Sequence, residues 1–327
     1  MTRSDEPRDV RNELRRIPVA ERPNKVSHGD FATPPPPGAG GSFADFYASL
    51  PHVLAADSVR SIARWIAKAS REDHAVIWML GGHVVKTGLS LILIDLMERG
   101  VITHLAANGA TAIHDYETCR WGGTSEDVEA GLSDGTFGMA LETGRDMNLA
   151  IRRGAGTGIG LGAALAADLE GREDNRHEEL SLLLACRRLG VPFTAHVAIG
   201  ADIIHQHPEA DGAAIGATSY ADFLRLTESV RDLDGGGAVL NVGSAVIMPE
   251  VFLKALTICR NRGRGAPRGF LTADFDMIQH YRPRVNVVER PIRTGGGEGY
   301  RVTGHHEVMV PLLSWAVAEE LAEMRRA

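Results

Sequence analysis

Lysine is scarce in this chain. Only Lys25, Lys68, Lys86 and Lys254 stand among its 35 basic residues, and none follows position 254. Schiff-base chemistry therefore has few candidate nucleophiles, because an arginine guanidinium stays protonated and cannot replace the amine. Cysteine is scarcer still: Cys119, Cys186 and Cys259 are odd in number and lack metal-type spacing, which argues against a disulfide framework or a zinc ribbon. No apolar run reaches the length needed to span a bilayer, so no membrane partner is expected. Positive charge is not in excess either. A net charge of -7 and a pI near 6.0 leave no footprint for nucleic acid or an anionic membrane, while admitting cationic ligands. The N-terminus is too charged and proline-rich to resemble a secretory signal, which makes the cytoplasm the expected location.

What is present suits a large buried core: 327 residues with 44% apolar content. Residues 1–40 combine charges, Pro34 to Pro37 and a glycine-rich end, and read as a flexible arm. Residues 41–327 read as a single α/β domain. Helices over 43–70 open it, with Phe43, Phe46, Leu50, Ile62, Trp65 and Ile66 as their apolar face. Strands are then predicted near 74–80, 102–107, 191–198, 238–242, 268–274 and 285–288. Helices are predicted near 87–99, 112–121, 158–169, 177–189, 219–232, 249–262 and 310–325. Apolar strands separated by helices imply a Rossmann-like, doubly wound, mostly parallel sheet with helices on both faces. The stretch 122–156 gives no clear pattern.

The segment 81–117 carries the most functional information. One apolar run stops at Gly81-Gly82 and a second at Asn108-Gly109, with Leu89, Ile92, Leu93, Leu96 and Met97 at helical spacing between them. Both loops should open at the carboxyl edge of a parallel sheet, where α/β folds bind ligands. A second glycine cluster, Gly154 to Gly162, satisfies a loose phosphate-loop pattern, but no apolar strand precedes it. Tight turns and close helix packing explain it better.

In order, Gly81-Gly82-His83 with Lys86-Thr87-Gly88, Asn108-Gly109-Ala110 with His114-Asp115, 196–202, Asn241 to Ser244, Thr272 to Asp276 and Thr303 to Glu307 resemble the deoxyhypusine synthase family. That family includes homospermidine synthases and bacterial relatives, and the likeness covers roughly residues 43–325. The resemblance implies a homotetramer binding NAD and an amine in clefts between paired subunits. In the family NAD oxidises spermidine, an aminobutyl fragment forms an imine with an enzyme lysine, and that fragment passes to a protein lysine or a free amine.

By position, the resemblance assigns the cofactor to Gly82, His83, Asn108, Gly109, Ala110, Gly243, Ser244, Thr272, Ala273, Thr303, Gly304 and His305. It gives the acidic amine pocket Asp202, with Asp115 and Asp276 close to the relevant loops. His114, beside Asp115, is a candidate base toward an ammonium group.

The pattern breaks at the catalytic lysine. Arg282-Pro283 is followed by Arg284, Val285, Asn286, Val287, Val288 and Glu289, with no lysine. Lys86 alone lies at a loop of the expected site, as a phosphate or structural contact or as a replacement nucleophile. Arg282 suggests a subsite for an anionic group. His205 and His207 beside Asp202 have the chemistry of metal ligands, although no metal is assigned. The leading expectation is an NAD-dependent, aminobutyl-type transferase acting on a polyamine such as spermidine, with a small amine as acceptor. The alternatives are an NAD-dependent amine oxidoreductase, a metal-assisted hydrolase and a non-catalytic dinucleotide-binding homologue.

Overall fold

The computed structural model describes residues 14–34 and 40–326. Of the arm expected over 1–40, positions 1–13 and 35–39 lie outside the described residues. The chain divides into two compact units between Val53 and Leu54, so the expected 43–70 helical face is split. Helix α1 (Phe43–Ser49) belongs to the first unit and starts at a capping box between Ser42 and Asp45. In the same unit the Thr33 amide donates to the Ser49 carbonyl and the His52 amide to the Asp30 carbonyl.

The second unit begins with α2 (Leu54–Arg71), which presents Ile62, Ala63 and Ile66 to the interior. There follow β1 (Val76–Leu80), α3 (Gly82–Lys86), α4 (Ser90–Glu98), β2 (His104–Asn108) and α5 (Gly109–Trp121). Next come α6 (Val128–Asp134), α7 (Leu141–Thr157), α8 (Leu161–Glu170), α9 (Leu182–Leu189), β3 (Phe193–His196), α10 (Gly212–Arg231) and β4 (Ala238–Val242). The chain closes with α11 (Ile247–Arg262), β5 (Phe270–Asp276), α12 (Arg290–Gly295), β6 (Gly297–Thr303) and α13 (His306–Arg326).

All six strands are parallel, in the order β3-β2-β1-β4-β5-β6. This is the expected Rossmann-like α/β architecture. Every residue of β1 and β4 is buried, as central strands covered on both faces must be. Ile77, Met79 and Val239 pack with Leu226 and Val230 of α10 and Phe252 and Leu256 of α11 in the main core. The strand order reverses between β1 and β4, and a parallel sheet opens a ligand crevice at such a point.

Two sequence expectations fail here. The run 285–288 is not a strand: it lies in a π-helical turn, Pro283–Glu289, whose Val285, Val287 and Val288 are buried. A short β-branched run fits either a strand or a buried helical turn. The sixth strand is β6 instead, whose sequence GEGYRVT is mostly exposed at the sheet edge and shows no apolar run. The unpatterned stretch 122–156 holds α6 and most of α7. Among the described residues no helix is long and apolar enough to cross a membrane.

Candidate active site

Parallel pairing brings the ends of all six strands to one rim. Leu80 registers with Ala107 and Val242, Val242 with Phe275, and Asp276 with Thr303. Gly82, His83, Asn108, Gly109, Ala110, Gly243, Ser244, Asp276, Thr303, Gly304 and His305 therefore share that edge. Thr272 and Ala273 do not. Thr272 is level with Val239, which is level with Ile77 in mid-sheet. Both residues are fully buried, so the rim after β5 begins at Asp276.

At the strand-order reversal, Gly81 lies so close to Gly243 that a β-carbon would overlap the Gly243 carbonyl. Gly243 itself has φ +73 and would meet the His306 ring if it carried a side chain. His306 faces His83 with ring centroids 5.6 Å apart. His306 is buried and its Nε2 donates to the Phe275 carbonyl at 3.1 Å, leaving Nδ1 as an acceptor without a hydrogen-bond partner. A buried orphan acceptor at a ligand crevice suits a ligand that brings a donor. Nearby, Asn241 donates to Asp274 at 2.8 Å and to the Ser244 carbonyl at 3.0 Å. Burial pushes Asp274 up to about 6, although the Asn241 hydrogen bond pulls it down.

Helix α5 forms the other half of the rim. Asn108 caps it, accepting from the Thr111 amide at 3.0 Å, a contact whose loss costs about 1 kcal/mol in typical helices. The Asp202 carboxylate leans over Gly109 at this helix start, where a side chain on Gly109 would collide with it. Burial raises Asp202 to about 6, and its Oδ2 has no hydrogen-bond partner. Gly82 faces the same helix: a β-carbon there would stand 3.0 Å from His114 Cδ2 and 3.2 Å from the Ala110 β-carbon.

Beside these residues opens a cavity of about 730 Å³. Lys86, His114 and Asp202 line it together with Glu117, Glu126 and Glu142, while Ile113, Trp121, Val128 and Phe137 supply apolar wall. His114 Nδ1 is 2.7 Å from the Thr124 hydroxyl, which donates to Glu117. Thr143 donates to the other Glu117 oxygen at 2.9 Å. Burial, with the Lys86 ammonium adding to it, depresses His114 to about 4. A neutral imidazole tied at one nitrogen to a carboxylate through a hydroxyl is suited to accept a proton at the other.

Glu117, which the sequence patterns do not single out, sits one helical turn after His114, on the same face. The carboxylate expected beside His114 is Asp115. Asp115 is buried on another side of α5, accepting from Ser181 and from the Leu182 and Leu183 amides at the start of α9. It is a structural cap and does not line the cavity. Arg282 pairs with Glu250 at 3.3 Å, and the Asp276 carboxylate accepts from its own neighbour Met277 at 2.7 Å. Both belong to the β4–β5 side of the rim and neither lines the cavity.

The histidine cluster also separates. His205 Nδ1 accepts from the Gly200 amide at 3.1 Å, whereas His207 Nε2 donates to the Gly138 carbonyl at 2.8 Å. Among the described residues no group of three His, Cys, Asp or Glu gathers as a metal cage. In the glycine cluster 154–162, Gly154, Gly160 and Gly162 pack tightly while Gly156 and Gly158 have open space: Gly160 lies against Asp222, which accepts from the Gly162 and Ala195 amides at 2.9 and 2.8 Å. That carboxylate occupies the helix start where a phosphate would bind.

No family model and no curated protein matches the sequence. Solved structures do match the fold. A protein from Methanococcus maripaludis S2 described as a conserved LOR/SDH protein superposes with TM-score 0.51 at 17% identity, over 84% of this chain and 71% of that one. AgrE, in its ternary complex with ornithine and NAD+, gives TM-score 0.53 at 17% identity over 82% of this chain. The chain spans 33% of the AgrE length. A protein from Entamoeba histolytica described as a deoxyhypusine synthase gives 0.48 at 10% identity, too distant to argue from. At such identities the likeness establishes a shared fold.

Proposed function

We propose that this chain is an NAD-dependent enzyme that exchanges the nitrogen substituent of a cationic amine, in the manner of an aminobutyl transferase with a small amine acceptor. One observation carries the reading: a neutral His114, tied through Thr124 to Glu117, stands in an acid-lined cavity against Gly82 at the strand-order reversal. AgrE, which shares the fold, has been crystallised with ornithine and NAD+, an amine and a dinucleotide together.

Gly82, Gly243 and the orphan acceptor of His306 suit a nicotinamide and ribose at the reversal point. When bound, the cofactor supplies reversible hydride exchange at a carbon next to nitrogen. Asp202, Glu126 and Glu142 hold the ammonium groups of the substrate. His114 Nε2 takes a proton from the incoming amine as its new C–N bond forms, then returns it to the departing amine as the old bond breaks. Trp121, Phe137 and Val128 limit water that would otherwise hydrolyse the activated carbon. No enzyme amine is needed for this direct exchange. Lys86, exposed at the cavity, tunes charge next to His114.

The homotetramer of the resemblance belongs to the same reading. Exposed apolar residues on the rim loops and the first turn of α13, among them Ile199, Val246, Ile278 and Val308, offer surface for a second copy to cover.

The test is incubation of the purified chain with NAD+ and paired amines: spermidine, putrescine, agmatine and ornithine as donors, with putrescine as acceptor. The expected result is a transferred product without accumulation of NADH. Net NADH would assign an amine oxidoreductase, and binding without turnover would assign a non-catalytic homologue.

A further inference from the structure

The base in the cavity is connected to its carboxylate by a residue outside the helix that carries both. Thr124 lies beyond the end of α5, after Gly122 has turned the backbone with φ 76. It stands near the start of the stretch 123–140, which contributes Gly123, Ser125, Glu126, Val128, Phe137 and Ala140 to the cavity wall. Both Glu126 oxygens accept from the Gly138 amide at 3.0 Å, closing this stretch on itself. His207 fastens its far end through the Gly138 carbonyl. At its near end, Thr124 stands between His114 and Glu117.

The proton count along this link is fixed. Glu117 accepts hydroxyl hydrogens at both oxygens, from Thr124 and Thr143, as an ionised carboxylate does. A threonine hydroxyl has one hydrogen, and Thr124 spends it on Glu117. The 2.7 Å contact to His114 must then be a donation from Nδ1–H to the Thr124 oxygen. A neutral imidazole carries one N–H, so Nε2 keeps the lone pair. The Cδ2–Nε2 edge is the one that faces Gly82.

We propose that Thr124 is a positioning residue that locks His114 in the Nδ1–H tautomer, so that His114 presents a basic Nε2 only while the 123–140 stretch is seated on α5. The value of that lock for catalysis rests on the function proposed above. The tautomer itself does not, and it is read without cofactor or substrate.

The experiment is long-range proton–nitrogen NMR of the His114 imidazole in the full chain at neutral pH. Wild type should show Nδ1 protonated and Nε2 bare. Thr124→Val, which keeps the shape and removes the hydroxyl, should shift the tautomer ratio toward Nε2–H by about tenfold, the effect of one ordinary hydrogen bond. Thr124→Ser should restore the wild-type signal. Glu117→Gln provides an independent arm should the valine variant misfold: its amide can donate to Thr124, freeing the hydroxyl to donate to Nδ1 and moving the proton to Nε2. An Nε2–H tautomer in wild type, or an unchanged ratio in both Thr124→Val and Glu117→Gln, overturns the proposal while leaving the turnover assay to judge the function separately.

Discussion

Gly81 and Gly243 meet backbone to backbone across the point where the strand order reverses. Neither loop can retreat, because β1 and β4 register from Val76–Ala238 through Leu80–Val242. Gly81→Ala should therefore cost about 1–3 kcal/mol of stability and weaken dinucleotide binding. Gly216→Ala, with open space around its α-carbon in α10, is the control and should be neutral or gain about 0.5–1 kcal/mol. Denaturant midpoints and NAD titration of both variants check this; an unaltered Gly81→Ala midpoint would refute the close-contact account.

Asp202 should set the acid limb of amine turnover. Burial raises it to about 6, whereas His114, depressed to about 4, is still neutral there. Rate should fall as pH drops through about 6, and Asp202→Asn should lose about 10- to 100-fold in kcat/KM, the range for a hydrogen bond to a charged group. Stability should move oppositely. A folded-state pKa above the usual carboxylate value favours the neutral form, so this contribution is lost as pH rises through about 6. The asparagine variant should accordingly melt higher than wild type above that pH, and a lower melting point there would contradict the burial.

His104 is fully buried, with Nδ1 2.7 Å from Ser229 and Nε2 2.9 Å from Thr194. Burial, reinforced by His196, depresses it to about 3. The unfolded chain binds a proton that the folded one refuses, so this stability is present above pH 6.5 and lost as pH falls toward 3. Buried Asp115, Asp222 and Asp274, all raised, act in the opposite direction and mask the effect in wild type. The readout is therefore a difference: the penalty of His104→Gln should shrink by about 1.4 kcal/mol per pH unit below 6.5. A penalty independent of pH would show that His104 titrates normally.

Gly160→Ala distinguishes packing from phosphate binding in the glycine cluster. Its methyl would displace the Asp222 carboxylate from the amides of Gly162 and Ala195, a loss of about 1–3 kcal/mol for each buried donor left unsatisfied. NAD affinity of the folded fraction should not change. Loss of NAD binding with stability intact would return this loop to the cofactor.

Most of the sheet was legible because buried strands are apolar runs whatever surrounds them. Runs at 74–80, 102–107, 191–198 and 268–274 became β1, β2, β3 and β5 within a few residues, and 238–242 became β4. The edge strand β6 escaped because exposure on its outer side removes the need for apolar residues. Val285 to Val288 misled because burial selects the same side chains in a helical turn as in a strand. The loops that carry Gly82, Asn108 and Gly109 lie at the rim expected of them, whereas Thr272 lies in mid-strand below it. Glu117 escaped because adjacency in sequence favoured Asp115, yet successive residues of a helix point about 100° apart.

The sequence alone determined the alternation of strand and helix, the rim loops and the lack of a lysine beyond position 254. These follow from composition and short-range pattern, which local burial dictates. Which carboxylate serves the cavity and which caps a helix was decided only by the tertiary structure. His114 and Glu117 share α5, but Thr124, Thr143 and Asp202 reach them from a loop, from α7 and from the stretch after β3, and that meeting depends on how the elements pack rather than on spacing along the chain.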